Sequence, residues 1–444
     1  MNSLKSLMNG TLLLLFFFLA QINFAQEKPK NIDQIIKKWA SPTEFPDHVV
    51  LSTTQDPAHS IGINWRTHIE NTHGYVEIAV AGDGPDFREK SITHIAQRTP
   101  VNSSNASADG FESSFFEIQI DGLIPNSLYA YRVGNDQFKS EWHQFTTASD
   151  QSAPLSFLYV GDAQNYILEL WSRVIRNAYK TAPNAHFFIH AGDLVNAAHD
   201  ESEWNEWFAA GGFIHSEIPA LAVPGNHEYR SLDKENPKEN RALSLQWTPQ
   251  FSFPKNGPQG LEETCYYVDY PNLRIIALNS NTDIERQTQW LEKVLKENTK
   301  KWTVVTYHHP VFSASRGRDN QELRQQWKPL FEKYHVDLAL QGHDHSYARG
   351  AVYDKPITVE KKSNKTVVGP VYVVSVSGGK MYSINESGWD EFGATKEKTG
   401  ERTQLFQHIS IDGNQLIYQS FTPTGKRFDH FKLIKNQNTN TYYD

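Results

Sequence analysis

A single cysteine, Cys265, stands in 444 residues, so the chain cannot close a disulfide within itself. Its stability must come from a hydrophobic core or from bound metal. Long apolar runs are also missing: the block Leu12 to Ala20 holds nine residues, against the roughly 20 that a membrane-spanning helix needs. Nor is there an excess of basic charge. Lys and Arg number 43 against 51 Asp and Glu, a formal net charge of -8, so the surface as a whole repels polyanions. This argues against nucleic-acid binding as the main task. Internal repeats and low-complexity tracts are absent. What is present is a composition that is 39% hydrophobic and 12% aromatic, enough for a sizeable core, in a chain long for one domain and comfortable for two.

The apolar block follows Lys5 in a short polar start and precedes a small residue at Ala25. That is the layout of a secretory signal peptide, residues 1–25, cleaved near Ala25. The alternative, an uncleaved anchor, is opposed by Gln21 and Asn23, which interrupt the run. The sequence therefore predicts export, periplasmic or extracellular, with no stable membrane insertion. Residues 26–44 read as a polar, helix-compatible linker. Sequons at Asn102, Asn105, Asn364 and Asn385 carry meaning only where a host glycosylates secreted proteins.

Two textures follow. From residue 45 to 150, short β-rich runs such as "SIGINWRT", "GYVEIAVA", "SSFFEIQID" and "LYAYRVGN" are separated by Gly, Pro, Asn and Asp clusters, the pattern of an all-β sandwich without helices. From 151 to 437, apolar runs alternate with 3.6-residue periodicity, as in "YILELWSRVIRNAYK", where Ile167, Leu168, Trp171, Val174, Ile175 and Ala178 form one stripe. Further helices fit "IERQTQWLEKVLKE" and "NQELRQQWKPLFEKYH", and strands return at the end. Alternating strand and helix predicts an α/β domain.

In this α/β part, each apolar run releases a polar, metal-competent residue. "LSFLYV" ends in Asp162, "HFFIH" in Asp193, "IPALAV" in Asn226 and His227, "WTVVTY" in His308, and "VDLALQ" in His343 and His345. The carboxyl ends of strands are where α/β sheets place their sites. Alone, a Gly-Asp after a strand is a turn, "HHP" a structural histidine, and "GNHE" a helix cap. Two Asp, one Asn and three His in succession instead predict a dinuclear metal site. Oxygen and imidazole donors without thiolate suit zinc, iron, manganese or nickel, and a central carboxylate can bridge two ions about 3.5 to 4 Å apart. Such a pair serves in-line displacement at phosphorus.

The ordered motifs GD, GD, GNHE, "VVTYHHP" and "GHDHSYAR" resemble the calcineurin-like metallophosphoesterases, and within them the purple acid phosphatases. The β-rich segment, with Trp65 early and "LIPNSLYAYRVG" later, resembles a fibronectin type III domain, which that family also carries ahead of its catalytic domain. The resemblance runs from about residue 45 to 437 and implies an α/β/β/α sandwich behind an N-terminal β-sandwich. It implies two divalent or trivalent ions, iron, zinc or manganese, with Asp193 bridging. Asp162 and His345 would hold the first ion, and Asn226, His308 and His343 the second. His227 would donate a proton to the leaving oxygen or a hydrogen bond to the phosphate. Metal-hydroxide attack on a small phosphomonoester would follow, with phosphodiester cleavage at the same site as an alternative. A catalytically inert binding module is the reading from another class.

The chain departs from that family at two positions. A tyrosine three residues after the second-motif aspartate is replaced by Asn196, and Gln164 stands where other members of the superfamily place a histidine. Loss of that phenolate tells against a ferric site and favours divalent ions at both positions. Gln164 and Asn196 are each candidates for a ligand or for a hydrogen bonder behind the ligands. After "HHP", the loop "SASRGRDN" offers Arg316 and Arg318, whose guanidinium forks match phosphate oxygens; a solvated basic loop tip is the alternative. Tyr166, Tyr229, Tyr347 and Arg349 follow ligand motifs and are candidates to line the pocket. No feature of the sequence assigns an oligomeric state.

Overall fold

The computed structural model describes residues 32–108, 110–236, 238–354, 365–384, 388–437 and 439–444. The expected signal peptide and the sequons at Asn364 and Asn385 lie outside the described residues. The helix Ile32–Ala40 belongs to one unit, and residues 41–444 form a second, compact one.

The second unit opens with eight strands: β1 (Asp47–Ser52), β2 (Ser60–His68), β3 (Tyr75–Val80), β4 (Ile92–Ile95), β5 (Gln97–Asn102), β6 (Glu112–Asp121), β7 (Leu128–Gly134) and β8 (His143–Thr146). They pair antiparallel in two four-stranded sheets, β1-β2-β6-β5 and β4-β3-β7-β8. Leu51, Ile61, Ile63, Trp65, Val76 and Tyr131 fill the space between them. A 3₁₀ turn, Pro85–Lys90, is the one departure from the helix-free expectation here; Pro85 presets its first φ, and it buries nothing.

The α/β part supplies β9 (Leu155–Val160), β10 (Phe188–Ala191), β11 (Ala220–Val223), the hairpin β12 (Tyr229–Ser231) and β13 (Arg241–Leu243), then β14 (Tyr266–Tyr270), β15 (Leu273–Ala277), β16 (Trp302–Tyr307) and β17 (Leu338–Gln341). The closing strands are β18 (Tyr347–Tyr353), β19 (Lys365–Val374), β20 (Thr395–Gly400), β21 (Phe406–Asp412), β22 (Gln415–Phe421), β23 (Arg427–Asn436) and β24 (Thr439–Tyr443). One layer runs β23-β22-β21-β9-β10-β11, with β9, β10 and β11 parallel. The other runs β14-β15-β16-β17-β19-β18-β20, with β15, β16, β17 and β19 parallel.

Strand alternation explains the layering. In β16 and β17, Trp302, Val304, Leu338 and Leu340 face the core shared with β9 to β11, while Val305, Tyr307 and Ala339 face a second core under the helices. Helix α1 (Ser172–Thr181) and helix α2 (Glu201–Gly211) pack with the first layer through Trp171, Val174, Trp204 and Trp207. Helix α3 (Ile284–Lys296) covers the second through Leu291, Val294 and Leu295. Helices on the outside of two facing sheets make the α/β/β/α sandwich expected from the sequence.

The β-sandwich is joined to this framework by buried polar contacts. Arg66 of β2 is fully buried and reaches Asp47 and Glu201 of α2, each at 2.8 Å. Ser52 pairs with Ala220, so the end of β1 runs alongside β11.

Candidate metal centre

Parallel strands end on one side, and that brings the candidate ligands together. Asp162 follows β9, Asp193 follows β10, Asn226 and His227 follow β11, His308 follows β16, and His343 and His345 follow β17. Tyr159 of β9 donates from its Oη to the Gln341 carbonyl at the end of β17, tying the two layers together beneath the site.

Four of these residues sit in left-handed backbone: Asp162 (φ +52°), Asp193 (φ +52°), His343 (φ +74°) and His345 (φ +49°). Residues other than glycine avoid this region at about 1 to 2 kcal/mol each, and such strain clusters where side chains must be aimed for a task. The motif glycines supply room. A Cβ on Gly225 would lie 2.2 Å from Asp193 Oδ1, and one on Gly342 would lie 2.7 Å from Asp162 Oδ2.

The donors make two groups of close contacts, and donor atoms of Asp162, Asp193 and His308 also lie within 4.8 Å of one another. In one, His308 Nε2 lies 3.2 Å from Asp193 Oδ2, 3.3 Å from Asn226 Oδ1 and 3.2 Å from His343 Nδ1. In the other, His345 Nε2 lies 3.7 Å from Asp162 Oδ1, and the Gln164 amide lies 3.0 Å from both His345 Nε2 and Asp193 Oδ2. Asp193 Oδ2 belongs to both. Donors about 2.1 Å from an ion at tetrahedral to octahedral angles stand about 3.0 to 3.4 Å apart, so the first set has the spacing of a coordination shell. Tautomers fit as well. His308 Nδ1 donates to the Ala191 carbonyl at 2.9 Å and His345 Nδ1 to that of Lys380 at 3.0 Å, which leaves each Nε2 lone pair facing inward. Carboxylates, amide oxygen and imidazoles converging without thiolate fit two hard-to-borderline cations.

Electrostatics without an ion show the same demand for positive charge. Burial and the neighbouring Asp193 push the Asp162 carboxyl well above the usual carboxylate range, against the pull of His308. Asp193 is held below that range: burial opposes its charge, but His308 and His227 outweigh it. Burial also works against charge on His308, yet Asp193 and Asp162 push it up to about 9. His345 is pushed down to about 3, chiefly by burial. His227, with Nε2 4.0 Å from Asp193 Oδ2, is lowered by burial, with Arg230 and Lys380 adding to the effect and Asp193 opposing it.

Around the centre, Arg318 donates to the His343 carbonyl at 2.7 Å and lies over the Tyr382 ring at 4.9 Å. Arg316 is exposed beside Gly317 and is not brought to the cluster. Asp344 turns away from the centre: Ser313 Oγ donates to it at 2.8 Å, and the backbone N–H groups of Ala314 and Ser315 add to the grip. It thereby anchors the loop that carries Arg318. Tyr347 and Arg349 turn inward to Asp429, at 2.6 and 2.7 Å, and pack rather than line a pocket. Tyr166 is largely exposed, and the Tyr229 hydroxyl accepts from Asn279 at 2.7 Å.

Sequence reasoning missed two residues. Glu228, fully buried, accepts from the backbone N–H groups of Asp193, Leu194, Val195 and Gly225 at 2.9, 2.9, 3.3 and 2.7 Å. It moulds the loop that presents Asp193, and its place in "GNHE" was the available signal. His309 groups with His308 and His343 and is held by Ser280 at 2.9 Å; the doubled "HH" carried that information.

Known proteins resemble this chain in sequence and fold. Residues 155–347 match the calcineurin-like phosphoesterase family, and residues 46–147 match the purple acid phosphatase N-terminal domain. The chain is 24% identical over 296 residues to purple acid phosphatase 15 of Arabidopsis thaliana, covering 59% of this chain and 53% of that protein. It is equally 24% identical, over 354 residues, to a protein of the same plant named probable inactive purple acid phosphatase 1, covering 68% and 56%. Purple acid phosphatase PPD1 from yellow lupin (Lupinus luteus) seeds shares the fold, with a TM-score of 0.68 at 19% identity over 88% of this chain and 75% of that one. The chain spans 53 to 63% of the length of the first curated relatives it matches. It carries a calcineurin-like phosphoesterase domain behind a purple acid phosphatase N-terminal domain, and several of its relatives are named purple acid phosphatases.

Proposed function

We propose that the chain is an exported, dinuclear-metal phosphohydrolase acting on small phosphomonoesters. The observation that carries this reading is the pair of donor sets sharing Asp193 Oδ2. Asp162 and His345 are assigned to one ion, Asn226, His308 and His343 to the other, and Asp193 to both. When bound, the ions supply Lewis acidity to the phosphoryl group and acidify the attacking water, and iron, zinc or manganese would serve.

The chain's own residues orient and neutralise. His227 donates from Nδ1 to the Asn196 carbonyl at 2.6 Å, which turns its Nε2 toward the centre, 4.0 Å from Asp193 Oδ2. In its protonated form it would give a hydrogen bond or a proton from Nε2 to the leaving oxygen. Arg318, fixed between the His343 carbonyl and Tyr382, is assigned to the phosphoryl oxygens. Arg316 is left with the solvated loop tip. Among the described residues, no helix is long and apolar enough to cross a membrane, and export rests on the sequence of the first 25 residues.

The test combines elemental analysis with hydrolysis of p-nitrophenyl phosphate and bis(p-nitrophenyl) phosphate, with and without chelator. Two ions per chain, chelator-sensitive monoester turnover and loss of that turnover in Asp193→Ala are expected. Faster diester turnover would shift the assignment to a phosphodiesterase. Bound ions without turnover of either ester would favour the inert reading, which kinship with a protein named probable inactive keeps in view.

A further inference from the structure

The donor set around Asp162 contains a side chain whose role the assignment above leaves open. Gln164 is fully buried two residues beyond Asp162, and its backbone N–H donates to the Asp193 carbonyl at 3.1 Å. Its amide nitrogen stands 3.0 Å from Asp193 Oδ2 and 3.0 Å from His345 Nε2, while Oε1 is buried with no hydrogen-bond partner. Both neighbours of the nitrogen are electron-rich, because His345 Nδ1 donates to Lys380 and leaves the Nε2 lone pair facing inward. Without a cation, an N–H donor is the favourable group at that point. With a cation among Asp162, Asp193 and His345, it becomes the wrong one. A half-turn of the terminal amide exchanges nitrogen for oxygen with almost no change in shape, and it puts the unpartnered oxygen where the positive charge is.

The competing residue, Asn196, is held through its main chain instead. Its N–H donates to Glu203 at 2.6 Å, and its carbonyl accepts from His227 at 2.6 Å and from Arg230.

We propose that Gln164 Oε1 ligates the ion held by Asp162, Asp193 and His345. This rests on the dinuclear reading above and deepens it. An amide oxygen is neutral, so Asp162 and Asp193 remain the only anionic donors in the two sets. Two divalent ions then leave a net charge of +2 on the centre, and a trivalent ion would add positive charge with no anion to balance it. The site therefore selects divalent ions at both positions.

The experiment titrates Mn²⁺ into the metal-free full chain by calorimetry and records electron paramagnetic resonance at two equivalents. Wild type, Gln164→Leu and Gln164→Glu are compared, with circular dichroism as the check on folding. Leu fills the same space without an oxygen, and Glu restores one. Wild type is expected to bind two ions with an exchange-coupled spectrum. Gln164→Leu should keep one ion, weaken the other by about tenfold or more, and show an isolated six-line signal, while Gln164→Glu recovers the second ion. Two ions of unchanged affinity in Gln164→Leu would overturn the proposal, as would a Gln164→Glu variant no better than Leu. Wild type binding no Mn²⁺ would instead overturn the metal centre itself, and this assignment with it.

Discussion

Glu228→Gln tests whether the aspartate loop is built by the carboxylate behind it. Oε1 of Glu228 serves the N–H groups of Leu194 and Val195, and Oε2 serves those of Asp193 and Gly225; all four residues are buried. Glutamine keeps one oxygen and sets an NH₂ against the other two donors. A hydrogen bond to a charged acceptor is worth about 1.5 to 3 kcal/mol, so two lost bonds amount to about 3 to 6 kcal/mol. Removing a buried charge returns part of that, leaving an expected net loss of about 2 to 4 kcal/mol. Against a typical total of about 5 to 15 kcal/mol the variant still folds. The assay is urea unfolding at pH 8 followed by tryptophan fluorescence, on chelated protein and again with Mn²⁺ present. Because the strained Asp193 backbone depends on these bonds, the Mn²⁺-induced rise in midpoint should also shrink. A variant within about 1 kcal/mol of wild type, with an undiminished metal response, would refute the reasoning.

Three further outcomes are expected. Arg66→Met leaves the carboxylates of Asp47 and Glu201 without their buried partner, and it should lower unfolding stability by about 3 to 5 kcal/mol, with partial recovery in the Arg66→Met/Glu201→Gln double variant. Gly225→Ala puts a methyl group 2.2 Å from Asp193 Oδ1, and calorimetry should show Mn²⁺ binding lost while circular dichroism stays native. Burial holds His48 and His190 down to about 3 and His215 down to about 4, so the unfolded chain takes up these protons first as pH falls below the ordinary 6.5. Stability from these three is fully present above pH 6.5 and falls by about 2 kcal/mol each by pH 5; equal urea midpoints at pH 7 and pH 5 would contradict this.

The six ligand candidates were legible because each follows an apolar run, and parallel strands turn sequence order into a shared edge. β9, β10, β11, β16 and β17 all end on the same side, so no long-range knowledge was needed to gather Asp162, Asp193, Asn226, His308, His343 and His345. The helices were legible only as far as their period held. Leu168 is in step with Ile167 and Trp171 in a 3.6-residue count, yet it is 38% exposed, because Ile167–Trp171 is a wider π turn that rotates it off the stripe. The single helix read across "QELRQQWKPLFEK" is two, Gln321–Gln326 and Lys328–Lys333, since Pro329 cannot donate within a helix and starts the second one instead.

Residues whose partners are main-chain groups were the hardest to see. Glu228 grips four amides, and Asp344, between two candidate ligands, grips two amides and the Ser313 hydroxyl; no side-chain pairing rule points to either. The same physics separates Gln164 from Asn196. Both break the pattern of the resembling family and both carry an amide, so the sequence weighs them alike. In the folded chain the Asn196 backbone is taken by Glu203, His227 and Arg230, whereas the Gln164 side chain lies inside a donor set with one oxygen unmatched. Turned by half a turn toward the Asp193 carboxylate and the His345 lone pair that its nitrogen faces, the unmatched oxygen completes a set of acceptors that a cation satisfies together.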